Sequence, residues 1–131
     1  MPIPNMDEFE KLLDDLKIKN ENLRNILVCI HEAARIHARN IYERMIGDEM
    51  LYPMSDRCRK LYIVGAPLSM LGLCKDGRMP MEFCNAAYMC VATATQRMSS
   101  FKKMKLQMSL AKLVNQVTKC VSEAEKKRSV A

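Results

Sequence analysis

The chain has 131 residues, 49% of them hydrophobic and 5% aromatic, and carries a net charge of +6. This length fits one domain with a single core, and the hydrophobic content is that of a globular protein rather than a disordered one. The most apolar run, residues 61–74, is interrupted by Gly65, Pro67 and Gly72 and is too short to cross a bilayer, so we predict one domain over residues 1–131 without a transmembrane segment.

The first predicted helix begins after Asn5. Asn5 and Glu8 have the spacing of a capping box, in which each side chain accepts a hydrogen bond from the other residue's backbone N–H. The apolar residues that follow recur every three or four positions, as on one face of a helix: Phe9, Leu12, Leu13 and Leu16. The opposite face of this predicted helix is acidic.

The second predicted helix runs unbroken from Asn20 or Asn22 to Gly47. Its predicted buried stripe consists of Leu23, Leu27, Ile30, Ala34, His37, Ile41 and Met45. His37 is therefore expected to be a core residue. The flanking faces carry candidate contacts for an anion: His31, Arg35 and Arg39.

The middle of the chain is predicted to hold short helical segments. Ser55 is a suitable cap for a helix from Asp56 to Val64, and Gly65-Ala66-Pro67 is expected to end it. A strand over residues 61–64 fits their composition but finds no partner strand elsewhere in the chain. Residues 68–74 are predicted to form one or two buried helical turns.

A long helix is predicted from Pro80 to Arg128, because no Gly or Pro follows Pro80. Its first half is expected to pack on the second helix through a stripe of small and medium side chains: Cys84, Ala87, Tyr88, Val91, Ala94, Thr95, Met98 and Phe101. Lys102, Lys103 and Lys105 interrupt the apolar pattern and mark a kink or a change of partner. Together these elements predict an all-α fold, a four- to five-helix bundle with a long C-terminal helix.

The second half of the long helix has coiled-coil spacing. Its apolar residues alternate at four and three positions: Leu106, Leu110, Leu113, Val117, Cys120 and Ala124. We interpret this seam as the self-association surface of a homodimer. Residues 122–131 are predicted to form a frayed basic tail.

Patterns of catalytic and metal-binding residues are missing from the sequence. The start of a zinc-protease motif at His31-Glu32 lacks its second histidine, because Arg35 holds that position. Glycine-rich phosphate loops and nucleophile motifs do not occur either. We therefore predict a non-enzymatic protein without a cofactor or a metal.

Six cysteines lie along the chain without any C-x-x-C spacing: Cys29, Cys58, Cys74, Cys84, Cys90 and Cys120. The first residues are acidic and do not resemble a basic and apolar leader. We interpret the cysteines as reduced thiols of a cytoplasmic or nuclear protein.

The positive charge is concentrated in residues 97–131, which have nine basic and two acidic residues and a net charge of +7. They include two adjacent lysines and four at seven-residue spacing: Lys102, Lys103, Lys105, Lys112, Lys119 and Lys126. A seven-residue period keeps side chains on one stripe of a helix. We predict that this stripe, with Arg35 and Arg39, binds RNA or DNA phosphates non-specifically. The scarcity of arginine and aromatic residues there disfavours sequence-specific readout and base stacking.

Three other functions fit the same residues. A solvated lysine face without any ligand is the commonest explanation of a charge run. The 12 methionines also suit an adaptor whose Met-rich apolar groove receives a partner helix. Phe101, Met108 and Val114 among the lysines are typical of a calmodulin-type target helix or of a helix that lies on a membrane surface.

Overall fold

The computed structural model describes residues 2–47, 51 and 53–130, which form six α-helices and no β-strand. The helices and one 3-10 turn follow in this order: α1 Met6–Asp15, α2 Glu21–His37, α3 Arg39–Ile46, α4 Asp56–Gly72, the 3-10 turn Leu73–Asp76, α5 Met81–Thr95 and α6 Ser100–Val130. The prediction of an all-α bundle with a long C-terminal helix is confirmed. That helix, α6, has 31 residues.

Three predicted helix starts are confirmed by capping hydrogen bonds. Asn5 and Glu8 form the reciprocal capping box at α1, with N···O distances of 3.0 and 2.9 Å. Asn20 Oδ1 accepts a hydrogen bond from the Leu23 N–H at 3.0 Å and caps α2, and Ser55 caps α4 in the same way. These side chains determine where the helices begin, because they satisfy N–H groups that lack a partner in the first turn.

The second predicted helix is two helices in the structure. Ala38, with φ −141° and ψ 38°, leaves the helical conformation and separates α2 from α3. The bend turns Tyr42 and Ile46 of α3 into the core, where both are fully buried. The prediction of one helix was wrong because alanine is a strong helix former and gives no sign of a break.

His31 is buried and His37 is exposed, the reverse of what was predicted. The buried face of α2 is formed by Ile26, Leu27, Ile30, His31, Ala33 and Ala34. This stripe includes His31 and ends before the last turn, so His37 is exposed. The prediction of His37 as a core residue was wrong. It assumed that one buried stripe continues along an unbroken helix to Met45, whereas α2 ends at His37.

Helix α4 continues through the predicted stop at residues 65–67 and ends at Gly72. A stop was expected because Pro67 has no N–H to donate to the carbonyl of Ile63, four residues earlier. In the structure Tyr42 Oη donates to that carbonyl at 3.2 Å. The freed backbone acceptor is thus satisfied by a side chain from α3, which allows a buried helix to contain the proline.

Helix α4 is the centre of the bundle. Every residue from 61 to 68 is buried, and α4 packs against each of the other five helices. A helix that is apolar on all sides requires such neighbours. Gly65 faces α6, and a Cβ at this position would lie 2.5 Å from Val117 Cγ2. The missing side chain therefore allows α6 to approach α4 closely.

The predicted helix from Pro80 to Arg128 is also two helices, α5 and α6, which are separated by residues 96–99. Ser99 Oγ accepts a hydrogen bond from the Lys102 N–H at 3.2 Å and caps α6. The prediction of an unbroken helix was wrong because a serine cap, rather than a glycine or a proline, marks the break. Helix α5 packs on α2, whereas α6 packs mainly on α4.

The predicted self-association seam faces the core of its own chain. Leu110 is half-buried, and the other seam residues are buried: Leu106, Leu113, Val117, Cys120 and Ala124. Because α4 covers the seam, it is not open to a second copy of this fold. The homodimer stays a prediction, but the seam cannot be the surface through which two copies associate.

The predicted basic tail belongs to α6, which is helical to Val130. Ala124 is only 1% exposed, and Lys127 Nζ donates a hydrogen bond to the Pro53 carbonyl at 3.4 Å. Ala131, the last residue of the predicted tail, lies outside the described residues.

All six cysteines are paired, as Cys29–Cys90, Cys58–Cys120 and Cys74–Cys84. The interpretation of these residues as reduced thiols was wrong. The first disulfide joins α2 to α5 across 61 residues, the second joins α4 to α6 across 62, and the third joins the 3-10 turn to α5 across 10. Sequence spacing does not indicate such pairs, because helix packing brings the partners together from distant positions.

We expect the purified protein to contain no reactive thiol. Alkylation in denaturant without reductant should add no label, whereas alkylation after reduction should label all 6 cysteines, as measured by intact mass. Closing a loop of about 60 residues stabilises a fold by roughly 4 kcal/mol, so the reduced protein should also melt at a lower temperature. Labelling of the unreduced protein would restore the thiol interpretation.

Tyr42→Phe should destabilise the fold by about 1–3 kcal/mol, because it leaves the buried Ile63 carbonyl without a donor. Pro67→Ala is the matched background, since an alanine there restores the backbone N–H that normally bonds this carbonyl. The loss caused by Tyr42→Phe should shrink in that background. Urea unfolding of the four proteins measures the coupling, and equal losses in both backgrounds would contradict this role of the tyrosine hydroxyl.

Candidate functional site on the outer face of α6

Four candidate lysines lie on the side of α6 opposite its buried seam. We call this side the lysine face and define it as Lys105, Lys112, Lys119 and Lys126. All four side chains are exposed, as are Lys102 and Lys103 at the start of the helix. At about 1.5 Å per residue, the lysine face is about 31 Å long. A seven-residue spacing drifts little around a helix of this length, so the four ammonium groups share one surface.

Carboxylates are confined to the end of α6, where Glu123 lies one turn from Lys119 and from Lys126. Residues 83–122 contain no Asp or Glu. The ion pairs recorded for the described residues involve Arg24, Arg35, Arg39 and Lys60, and no lysine of the face. The acidic side of α1 pairs with Arg24 and Lys60. The positive charge in the first two thirds of α6, at Lys102, Lys105 and Lys112, is therefore available to an external anion.

Arg35 and Arg39 do not join this surface. Arg35 pairs with Glu32 on α2, and this hydrogen bond lowers the pKa of the Glu32 carboxyl. Arg39 pairs with Glu43 at 2.9 Å on α3. Both arginines lie at the end of α2 or beyond it, roughly 20 Å along that helix from the residues that approach α6.

Three large apolar side chains are exposed at the start of the same outer face. Phe101, Met104 and Met108 are 61%, 54% and 66% exposed, and their spacing of three and four residues places them on one side of α6. We call them the apolar cluster. Lys105 Nζ lies 4.8 Å from the centre of the Phe101 ring, a cation–π contact that keeps charge and ring together.

The apolar cluster departs from two sequence-based expectations. Phe101 was predicted to end the packed stripe of the long helix, but the break before Ser100 turns it outward. The predicted set of Phe101, Met108 and Val114 omitted Met104, and Val114 is only 36% exposed. The cluster can be identified from the helical spacing of α6, because Phe101, Met104 and Met108 fall on the side opposite the Leu106–Ala124 seam.

A groove of about 650 Å³ lies between the start of α6 and the start of α2. Its polar lining comes from both helices: Asn20, Asn22, Lys102, Lys105, Ser109 and Lys112. Its apolar lining consists of Phe101, Leu106 and Met108. Because Asn20 Oδ1 already accepts the capping hydrogen bond, the amide nitrogen of Asn20 is left as a donor. The polar lining is thus rich in donors and positive charge, which suits an anion.

The described residues contain no group of three His, Cys, Asp or Glu side chains placed to hold a metal ion. Within the same residues, no helix combines the length and the apolar composition needed to cross a membrane. The absence of an enzymatic activity stays a prediction.

Comparison with known proteins adds no assignment, because no family model, curated protein or solved structure matches this chain.

His31, a predicted anion contact, is fully buried instead. Its ring stacks on Phe9 of α1 at a centroid distance of 4.0 Å and meets the edge of Tyr42 of α3 at 5.7 Å. Neither ring nitrogen makes a hydrogen bond of good geometry among the described residues, and the nearby Pro4 backbone opposes the effect of burial on the pKa of His31 without outweighing it. Burial lowers the pKa of His31 from 6.5 to about 4, so the imidazole that joins α1, α2 and α3 is neutral at pH 7.

Acid should therefore destabilise the fold through His31. Between pH 6.5 and about 4 the unfolded state binds a proton that the folded state rejects, so the free energy of unfolding falls by up to roughly 3 kcal/mol. Urea unfolding at a series of pH values should show a shallower decline for His31→Phe, whereas the exposed control His37→Gln should keep it. An unchanged slope in His31→Phe would contradict this. An NMR titration that placed the His31 pKa near 6.5 would do the same.

Proposed function

We propose that this protein is a non-enzymatic binding protein that docks on anionic membrane surfaces through the outer face of α6. The apolar cluster enters the interfacial layer of the bilayer, and the lysines contact lipid phosphates. The observation that carries the proposal is the exposure of Phe101, Met104 and Met108 beside lysines in a stretch, residues 83–122, that contains no Asp or Glu.

The energies of the two sets of side chains favour a surface that is both apolar and anionic. A lysine near an anionic membrane contributes about 1 kcal/mol. A partly inserted Phe or Met contributes about 1 kcal/mol, since its full burial is worth roughly 1.5–3 kcal/mol. Four lysines and three apolar side chains thus contribute comparable amounts. The phosphates of a nucleic-acid duplex would use the lysines alone.

The disulfides disfavour a nucleic acid as the partner. Three disulfides are typical of proteins in oxidising compartments, where membrane surfaces are present and cellular RNA and DNA are not. The cytoplasmic or nuclear localisation depended on reduced thiols and loses that basis. We therefore include an oxidising compartment in the proposal.

Nucleic-acid binding is the second candidate function. The lysine face favours it, because about 31 Å of unpaired ammonium groups matches a run of backbone phosphates. It would be non-specific and strongly dependent on salt. An adaptor function has weaker support, since the groove beside α6 has one methionine in its lining, Met108.

Co-sedimentation with vesicles tests the proposal. The protein should pellet with vesicles that contain phosphatidylglycerol and not with neutral phosphatidylcholine vesicles. Changing the apolar cluster to serine should weaken binding about tenfold or more, and changing Lys105, Lys112 and Lys119 to glutamate should abolish it. Two matched controls should retain binding: Met81→Ser with Met89→Ser, and glutamate at Lys11, Lys19 and Lys75, all of them exposed positions.

Two results would overturn the proposal. One is the absence of binding to anionic vesicles by the unaltered protein. The other is binding that survives both sets of changes on α6. If RNA or DNA is instead retarded at low salt, and the serine changes leave that retardation intact, the second candidate function replaces the first.

A further inference from the structure

We infer that the groove between α2 and α6 binds the headgroup of an anionic lipid whose phosphate is joined to a neutral polyol, as in phosphatidylglycerol. This inference rests on the proposed function and names the class of lipid that the membrane surface would carry. It is drawn from the asparagine and serine side chains that line the groove beside the lysines, because the general attraction between lysines and phosphates does not use them.

The groove offers positive charge and hydrogen-bond donors to a phosphate. Lys105 and Lys112 line it from α6, with Ser109 between them along the helix. The opposite wall is the start of α2, where backbone N–H groups and the helix dipole favour a negative charge. Asn20, the cap of α2, contributes its free amide nitrogen. Groups from two helices therefore converge on one anion.

The same lining distinguishes one headgroup from another. A polyol has hydroxyl groups that accept hydrogen bonds from Asn22 and Ser109 and donate to their oxygens. The headgroup of phosphatidylserine carries an ammonium and a carboxylate beyond its phosphate. The ammonium finds no acidic partner among the lining residues and is repelled by Lys105 and Lys112, and the carboxylate competes with the phosphate for these two lysines. Phosphatidylglycerol and phosphatidylserine carry the same net charge, so the lysine face attracts both alike. A difference in affinity between them isolates the groove.

The apolar lining connects the groove to the proposed mode of docking. Phe101 and Met108 belong both to the apolar cluster and to the wall of the groove. When these side chains enter the interfacial layer, the groove is held at the depth of the lipid phosphates. A lipid headgroup, rather than phosphate free in solution, is therefore the ligand that this position fits.

Vesicle binding with two matched substitutions tests the inference. The unaltered protein should bind phosphatidylglycerol vesicles about tenfold more tightly than phosphatidylserine vesicles of equal anionic fraction. Asn20→Asp should remove this preference, because aspartate retains the capping role but places a carboxylate in the groove. Asn5→Asp makes the same change at the cap of α1, away from the groove, and should keep the preference. Ser109→Ala should reduce it.

The outcomes separate the inference from the proposed function. Equal binding to the two lipids by the unaltered protein, or equal effects of Asn20→Asp and Asn5→Asp, would overturn the inference while membrane docking stands. No binding to either anionic vesicle would overturn the proposed function itself. Competition by inorganic phosphate that is as effective as competition by glycerophosphoglycerol would assign the groove to free phosphate, and would also overturn the inference.

Discussion

The hydrogen bond from Tyr42 Oη to the Ile63 carbonyl is the contact on which the rest of the bundle depends. It allows α4 to pass Pro67 and to continue for another turn and more as a buried helix. Gly65 lies two residues before Pro67, within the predicted stop, and gives Val117 of α6 its close approach. A helix that stopped before Gly65 would leave the inner side of α6 without its partner. The bend at Ala38 matters for the same reason, because it carries Tyr42 to α4.

The docking of α6 determines which of its sides faces outward. Its inner seam packs on α4, and Cys58–Cys120 fixes the rotation of one helix against the other. The apolar cluster cannot turn inward without the loss of that packing and a break in the disulfide. Exposed apolar groups of this size on a fixed surface are typical of a binding site. Their exposure is thus a property of the fold rather than of one side-chain conformation.

Local chemistry made much of the fold predictable, and non-local chemistry made the rest unpredictable. The caps at Asn5, Asn20 and Ser55 act within three residues, and the sequence shows them directly. The passage of α4 through Pro67 depends on a hydroxyl 21 residues away from its acceptor. The two longest disulfide connections span 61 and 62 residues, nearly half of the chain, and follow only from packing.

The candidate site, like the fold, was predictable only where neighbouring residues in the sequence determine it. The lysines were found because their seven-residue period is visible in the sequence and their charge favours solvent. The apolar cluster was assigned wrongly in part, because Phe101 fits a buried stripe and an exposed face equally well until the start of α6 is known. The groove was not predicted at all, since Asn20 and Ser109 come from helices far apart in the chain. Arg35 and Arg39 failed as candidates because Glu32 and Glu43, one turn away, already neutralise them.

The division of α6 into an apolar start and a lysine-rich remainder has a consequence for the kind of surface it selects. The apolar cluster alone supplies about 3 kcal/mol, which corresponds to a millimolar dissociation constant or weaker. The lysines alone supply a similar amount, which salt reduces further. Neither set holds the protein on a neutral membrane or on a purely polar anion at physiological salt. Binding therefore requires a partner that offers both an apolar layer and anionic groups to the same stretch of helix, about 31 Å long. A bilayer rich in anionic lipid is a surface that provides both.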